Sequence, residues 1–328
     1  MSTCNSGSNA CTEAPESGRF ALPSGTGPVS LTAEYGLMRV SGADAVDFLH
    51  RQFTNAVKDL GDRVENAGWC SPKGRMLAAF RLWQDGDAVM ILVPKAIGPA
   101  FFKRLRMYVL RDKVEFACTA PGRHIYGIAW DAAETLRAAG LPVPEAGRAV
   151  IKDGVTVLSV QPAAAAEGFV SGGERAIVIA PAEKELFADA RGSGLWWASE
   201  IAAGCASVWP ATRELFVPQA VNYELIGGVS FTKGCYPGQE VVSRVQNIGT
   251  PSRRAAAGIA AGAAPAAGDP VFAQGSECGT VIEAVEAEGR ALVFYSALCD
   301  ALKAGGIALD KEGKRVLAPV AFPYDAKL

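Results

Sequence analysis

The segment with the clearest chemical content is Lys233-Gly234-Cys235-Tyr236-Pro237-Gly238-Gln239-Glu240. A thiolate, not a thiol, is the nucleophile and metal ligand, and a nearby ammonium favours it. Lys233 stands two residues before Cys235 and is placed to tune it. The order Lys-Gly excludes a phosphate-binding P-loop, which needs Gly-Lys-Ser/Thr. Gly227, Gly228, Gly234 and Gly238 crowd the region, and glycine permits positive φ and close backbone approach. On residue chemistry alone two readings stand: an activated thiol, or a structural cysteine in a tight turn.

Other groups carry weaker signals. In Cys70-Ser71-Pro72-Lys73-Gly74-Arg75, Pro and Gly shape a turn, and Lys73 and Arg75 either grip an anion such as a carboxylate tail or face water. Tyr35, Trp196 and Trp197 either stack a planar heterocycle, worth ~0.5–1.5 kcal/mol beyond area, or fill the core. Lys103, Arg104, Arg106 and Arg111 make one side of a helix basic; without interleaved aromatics it reads as a solvated face and not an RNA groove. The eight cysteines form no C-x-x-C pair and the histidines are two, His50 and His124, so no metal site is expected.

The elements that must position these groups are legible in outline. A chain of 328 residues predicts two or three domains, and 49% apolar with 20% charged residues indicates a globular core. A net charge of −2 provides no global field toward nucleic acid or membrane. No apolar run reaches the ~18 residues of a membrane span. Residues 1–27 are rich in Ser, Gly, Thr, Asn and Pro without a signal-peptide pattern, so a flexible tail, a cytoplasmic location and reduced cysteines are expected. Leu37-Met38-Arg39-Val40 reads as a strand, followed by a helix from Ala43 capped by Ser41-Gly42. Arg75 to Trp83 and Ala88 to Val93 read as a hairpin around Asp85-Gly86-Asp87. A helix from Ile97 to Leu110, with Phe101, Leu105 and Tyr108 inward, and a strand from Val114 to Ala117 complete a ferredoxin-like order.

A looser copy comes next: strands at 124–129, 155–160 and 176–180, a helix at 131–139, and a helix opened by Pro181 with Leu186 and Phe187 inward. Trp196 and Trp197 are expected just before a further helix start. After Arg254, the Ala/Gly/Pro-rich stretch Ala255 to Asp269 and short apolar segments read as a small β-barrel. The expected architecture is therefore α+β. It comprises a tail (1–27), two ferredoxin-like units forming a cleft (28–253, dividing near 120), and a C-terminal barrel (254–328).

Lys233 to Glu240 resembles the K-G-C-Y-x-G-Q-E segment of the YgfZ family, with Pro237 at the variable position. Phe216-Val217-Pro218-Gln219, Gly227 to Phe231, Gly42-Ala43-Asp44 with Phe48-Leu49, and Pro72 to Arg75 are similar to that family too. The resemblance implies an aminomethyltransferase-like scaffold that binds tetrahydrofolate or a related folate. It also implies a role in assembling or repairing iron–sulfur enzymes, including one that thiomethylates tRNA. The partners implied are folate and iron–sulfur client or assembly proteins, with no direct nucleic acid and no membrane. By this resemblance Tyr35 and Trp196 stand at the folate-contacting aromatic positions, Trp197 being the match if the register slips by one. Cys235 is the chemical group, Lys233 its modulator, Gln239 and Glu240 offer hydrogen bonds toward the cleft, and Lys73 and Arg75 hold an anionic tail. Two departures matter. Ala78 and Ala79 replace the aminomethyltransferase Asp pair, so classical turnover is not expected. Ala202 replaces a pterin-binding Glu, for which Glu200 is a substitute. The rival readings are an active folate-dependent aminomethyltransferase or demethylase, and a folate sensor without chemistry.

Overall fold

Runs of β-branched and aromatic residues broken by turn residues make sheets the main product of this chain. The computed structural model describes residues 17–23 and 27–328, so Cys4, Cys11 and most of the expected tail lie outside the described residues. Two short strands come first, β1 (Arg19–Ala21) and β2 (Val29–Ser30), and each joins a sheet made by later elements.

The first sheet collects β3 (Tyr35–Ser41), β4 (Glu65–Cys70), β5 (Met76–Asp85), β6 (Ala88–Pro94) and β7 (Glu115–Cys118) in the antiparallel order β4-β5-β6-β3-β7. The β5–β6 hairpin turns at Gly86-Asp87, as the sequence suggests, with Gly86 at φ +61°. Helices α1 (Ala45–Gln52) and α2 (Gly98–Arg106) come after β3 and β6. α1 starts two residues later than expected. Asp44 precedes it, and its carboxylate accepts the Lys113 N–H at 2.7 Å instead of capping the helix. Phe80 of β5 stacks on Phe101 of α2, which places the helices on one face. The alternate residues Leu77, Ala79 and Arg81 turn to the other face.

The second sheet has the antiparallel order β2-β8-β11-β10-β9, from β8 (Arg123–Ile128), β9 (Ala149–Lys152), β10 (Val155–Ala163) and β11 (Gly173–Pro181), with α3 (Ala132–Ala138) after β8. The helix expected from Pro181 does not form. Lys184 N–H closes one turn on the Pro181 carbonyl, and Leu186 and Phe187 alone are too small an apolar face to hold more. The next helix, α4 (Gly194–Ala202), starts earlier than expected, so Trp196 and Trp197 lie inside it and not before it. Every residue of α4 is buried, Ser199 and Glu200 included.

α5 (Gln239–Ile248) leads into the third sheet: β12 (Arg253–Ala261), β13 (Pro270–Ala273), β14 (Ser276–Ala287), β15 (Arg290–Leu298) and, after α6 (Cys299–Ala304), β16 (Ala318–Val320). Its order is β1-β14-β15-β12-β16, with β13 also on β14. One expectation is corrected here. Arg19–Ala21 is a parallel strand on β14, not tail. The Ala-rich stretch supplies β12, and at Gly258 a Cβ would lie 2.9 Å from Leu317.

α4 fills the space between the sheets. On the second sheet, a Cβ at Gly127 of β8 would lie 2.5 Å from Trp196 Cε3 and 2.8 Å from Leu31 Cδ1. Overpacking costs roughly 1–3 kcal/mol. Gly127→Ala is therefore expected to lower stability by about that amount and to shift tryptophan emission, checked by urea unfolding followed by fluorescence.

Candidate functional site

Three elements bring charge into the core. Arg81 of β5 donates to both oxygens of Glu200 on α4, at 2.8 and 2.7 Å. Arg175 of β11 donates to Glu200 Oε1 at 2.9 Å, to Ser199 Oγ at 3.0 Å and, through Nε, to the Gln161 carbonyl at 2.7 Å. The side chains of Arg81, Arg175 and Glu200 are 8%, 0% and 2% exposed, so water screens this triad little. Burial alone pushes the Glu200 carboxyl up, but the two guanidinium groups outweigh it and hold it below its ordinary value. Both guanidiniums sit over the Trp196 ring, Arg175 at 5.0 Å and Arg81 at 5.9 Å. Behind them Glu283 of β14 accepts the Trp209 indole N–H at 3.1 Å. Burial, with the Glu200 charge, raises the Glu283 carboxyl well above the carboxylate range.

The aromatic pair is joined directly. Trp196 Nε1 donates to Tyr35 Oη at 3.2 Å, and Tyr35 stacks on Trp197 at 5.5 Å and 12°. All three are buried. Tyr35, Asn66, Ala79, Arg81, Glu200 and Tyr223 are among the residues around a cavity of about 20 Å³. Cys205 also lines it, and burial pushes its thiol up to about 11. The donor set fits a pterin in kind: an aromatic wall, the Asn66 amide and a carboxylate whose four lone-pair sites already accept three N–H bonds. The volume does not; it holds about one water, so a pterin enters only if side chains move apart. Ala79 places a methyl group there, without proton chemistry. Ala202, also buried, is not among the lining residues.

Cys235 lies elsewhere. It is exposed, and its loop is fixed from two sides. Lys233 Nζ donates to the carbonyls of His50, Phe53 (2.5 Å) and Asn55 (3.3 Å) at the C-terminal end of α1, and lies 5.1 Å from the Tyr236 ring. Burial lowers its ammonium to about 8. Its hydrogen bonds thus anchor the loop to α1, where a cation also suits the helix dipole. On the other side Gly238, at φ +80°, packs on the turn read separately in the sequence: a Cβ there would lie 2.4 Å from the Ser71 oxygen and 2.6 Å from Gly74 Cα. Tyr236 is buried beside Cys70.

The remaining expected residues group around this loop and not around the cavity. Gln239 and Glu240 open α5, half-buried and exposed respectively; Lys73 is exposed. Arg75 donates to the Leu215 carbonyl at 2.6 Å and lines a different groove. The preceding Gly227-Gly228 segment covers the edge of the first sheet. Thr54 Oγ1 donates to the Gly228 carbonyl at 2.6 Å, and Asn55 Nδ2 to that of Gly227 at 2.7 Å. Asn66 and Cys70 are four residues apart on β4, ~13 Å at 3.3 Å per residue, so the cavity and the Cys235 loop flank opposite ends of one strand.

Arg81, Arg175 and Glu283 did not stand out in the sequence reading. The signal of Arg81 and Glu283 is a charge inside an apolar strand, Ala-Ala-Phe-Arg-Leu-Trp and Val-Ile-Glu-Ala-Val, whereas Arg175 stands at the start of one, in Gly-Glu-Arg-Ala-Ile-Val-Ile. The six described cysteines are free. No helix among the described residues is long and apolar enough to cross a membrane.

The fold is similar to that of the crystal structure of glycine cleavage system aminomethyltransferase T from Bartonella henselae. The TM-score is 0.67 at 16% identity, over 92% of this chain and 86% of that one. The architecture is therefore aminomethyltransferase-like, a mixed α+β fold. In sequence the chain is a homologue of proteins named tRNA-modifying protein YgfZ. It is 28% identical over 300 residues to that of Escherichia coli (strain K12 / DH10B), covering 89% of this chain and 91% of that protein. It is 27% identical over 306 residues to that of Enterobacter sp. (strain 638), with the same coverage. No protein-family model matches the chain.

Removing one partner of a buried ion pair costs about 3–5 kcal/mol. Glu200→Gln is expected to lose about that much in urea unfolding at neutral pH. The lowered Glu200 value also sets a sign. Its stabilisation is complete above the unfolded value, ~4.3, and is lost as pH falls through the folded one. The acid-side loss of stability in the parent protein should therefore be smaller in Glu200→Gln.

Proposed function

We propose that the protein is a tetrahydrofolate-binding accessory protein that supports the assembly or repair of iron–sulfur enzymes, including those that thiomethylate tRNA. In this reading the first two sheets are ferredoxin-like units and the third closes as a barrel. The observation that carries it is the joint placement of Tyr35, Trp196 and Glu200 at the meeting of β3, β5 and α4, within an aminomethyltransferase-like fold. Folate, when bound, supplies a one-carbon carrier. Tyr35 meets its flat ring and is held from behind by Trp196, Asn66 and Glu200 meet its polar edge, and Arg81 and Arg175 keep Glu200 ionised. Cys235 is the reacting group, presented to a client protein on a loop held by Lys233 and Gly238. The YgfZ homologues support the link to tRNA modification through their name.

A second reading is a folate sensor without chemistry. The ~13 Å of β4 between the cavity and the turn beneath Cys235 favours it. Two measurements separate them. Calorimetric titration with tetrahydrofolate should give one site. Trp196→Phe, which keeps most of the packing, should weaken it by about two- to tenfold, the worth of ~0.5–1.5 kcal/mol of stacking and polar contact. Cys235→Ser should leave that binding unchanged yet fail to restore iron–sulfur enzyme activity in a strain lacking the native gene. Full restoration would falsify the thiol role and leave the sensor.

A further inference from the structure

A second cavity, a groove of about 660 Å³, lies where residues 215–220 and α5 face the third sheet. It shares no lining residue with the Tyr35–Glu200 cavity, so its chemistry is independent of the folate reading. Arg75, Arg244 of α5 and Arg253 of β12 all line it, together with the hydroxyl residues Thr250, Ser252 and Thr280. No Asp or Glu is among the lining residues. Among the described residues none of these three arginines lies within 4.0 Å of a carboxylate, whereas the adjacent Arg254 is buried against Glu224.

Two of the three are held in place by the backbone. Arg75 Nη1 donates to the Leu215 carbonyl at 2.6 Å and Arg253 Nη1 to the Cys278 carbonyl at 3.1 Å. A guanidinium has five N–H donors, so each retains most of its fork. Phe216, Val241, Val245 and Pro251 form an apolar wall beside them. The volume is that of a site for a small organic molecule, ~300–1,000 Å³. Three unopposed cations and an apolar wall lining one groove match a ligand with a cluster of negative charge and an organic body.

We propose that this groove binds a small organic polyanion, a molecule carrying a diphosphate or an equivalent cluster of carboxylates on an apolar body. The charged end meets Arg75, Arg244 and Arg253, and the body lies along Phe216 and Val241. The site runs along α5 from Val241 past its C-terminal end, and the N-terminal end of that helix carries the Cys235 loop, so its occupant braces the helix behind that loop.

The test is calorimetric titration of the full chain with inorganic pyrophosphate, ADP and citrate at low and high salt. Stoichiometric binding that weakens with salt is expected, with ADP tighter than pyrophosphate because its body reaches the apolar wall. Binding of citrate alone assigns the carboxylate source, and binding of the other two the phosphate source. Arg244→Gln and Arg253→Gln should each weaken binding by about ten- to a hundredfold, the worth of a charged hydrogen bond. Arg244 is exposed and carries no ion pair among the described residues, so its substitution leaves folding intact, which circular dichroism checks; it keeps the test valid if Arg253→Gln unfolds. No heat with any of the three probes, equal binding by Arg244→Gln, or binding of tRNA without binding of any small probe overturns the proposal.

Discussion

One carboxylate is shared by two guanidinium groups from different sheets. Glu200 belongs to α4, Arg81 to the first sheet and Arg175 to the second. Their mutual position fixes the gap between the sheets, because a buried charge without its partner is far costlier than a missing apolar contact. The same arrangement orients Trp196, which lies under both cations and donates to Tyr35 on the first sheet. Trp197, one residue on, stacks on Phe20 of β1 at 4.6 Å and so reaches the third sheet. A helix of nine residues therefore coordinates all three layers.

The second constraint is backbone against backbone. Gly238 and Gly74 both have positive φ and meet with no room for a side chain. Together with the anchoring of Lys233 on α1, this holds an exposed thiol on a rigid support. The chain thus separates two kinds of site: an enclosed, charged, aromatic cavity, and a surface cysteine beyond the other end of β4.

Local patterning made the first sheet largely readable, since β3, β5, β6 and the two helices each show a clear period and the Gly86 turn is explicit. The octapeptide was readable as a motif, but the contact between Gly238 and the Ser71–Gly74 turn is tertiary and leaves no local trace. α4 was placed too late because it is buried on every side, so no polar face alternates with an apolar one to mark where it begins. β12 escaped notice because alanine is a poor strand former; burial between β15 and β16 overrides that preference. Arg81 interrupts an apolar run once and Arg175 opens one after Glu174, patterns that signal an inward charge only when a partner is known. Cys235 and Lys233 were read as a chemical pair, yet the Lys233 ammonium is engaged by carbonyls, which a spacing of two residues does not convey.

The parallel pairing of β1 with β14 has a consequence in time. Arg19 lies opposite Ala284, a partner that leaves the ribosome about 265 residues later, or roughly 15–50 s at usual elongation rates. During that interval β1 has no strand to pair with, and Phe20 has no sheet to hold it against Trp197. The layers of this protein therefore cannot be completed one after another as they are synthesised. An early segment must stay available until nearly the whole chain has emerged, and its docking is among the last events of folding.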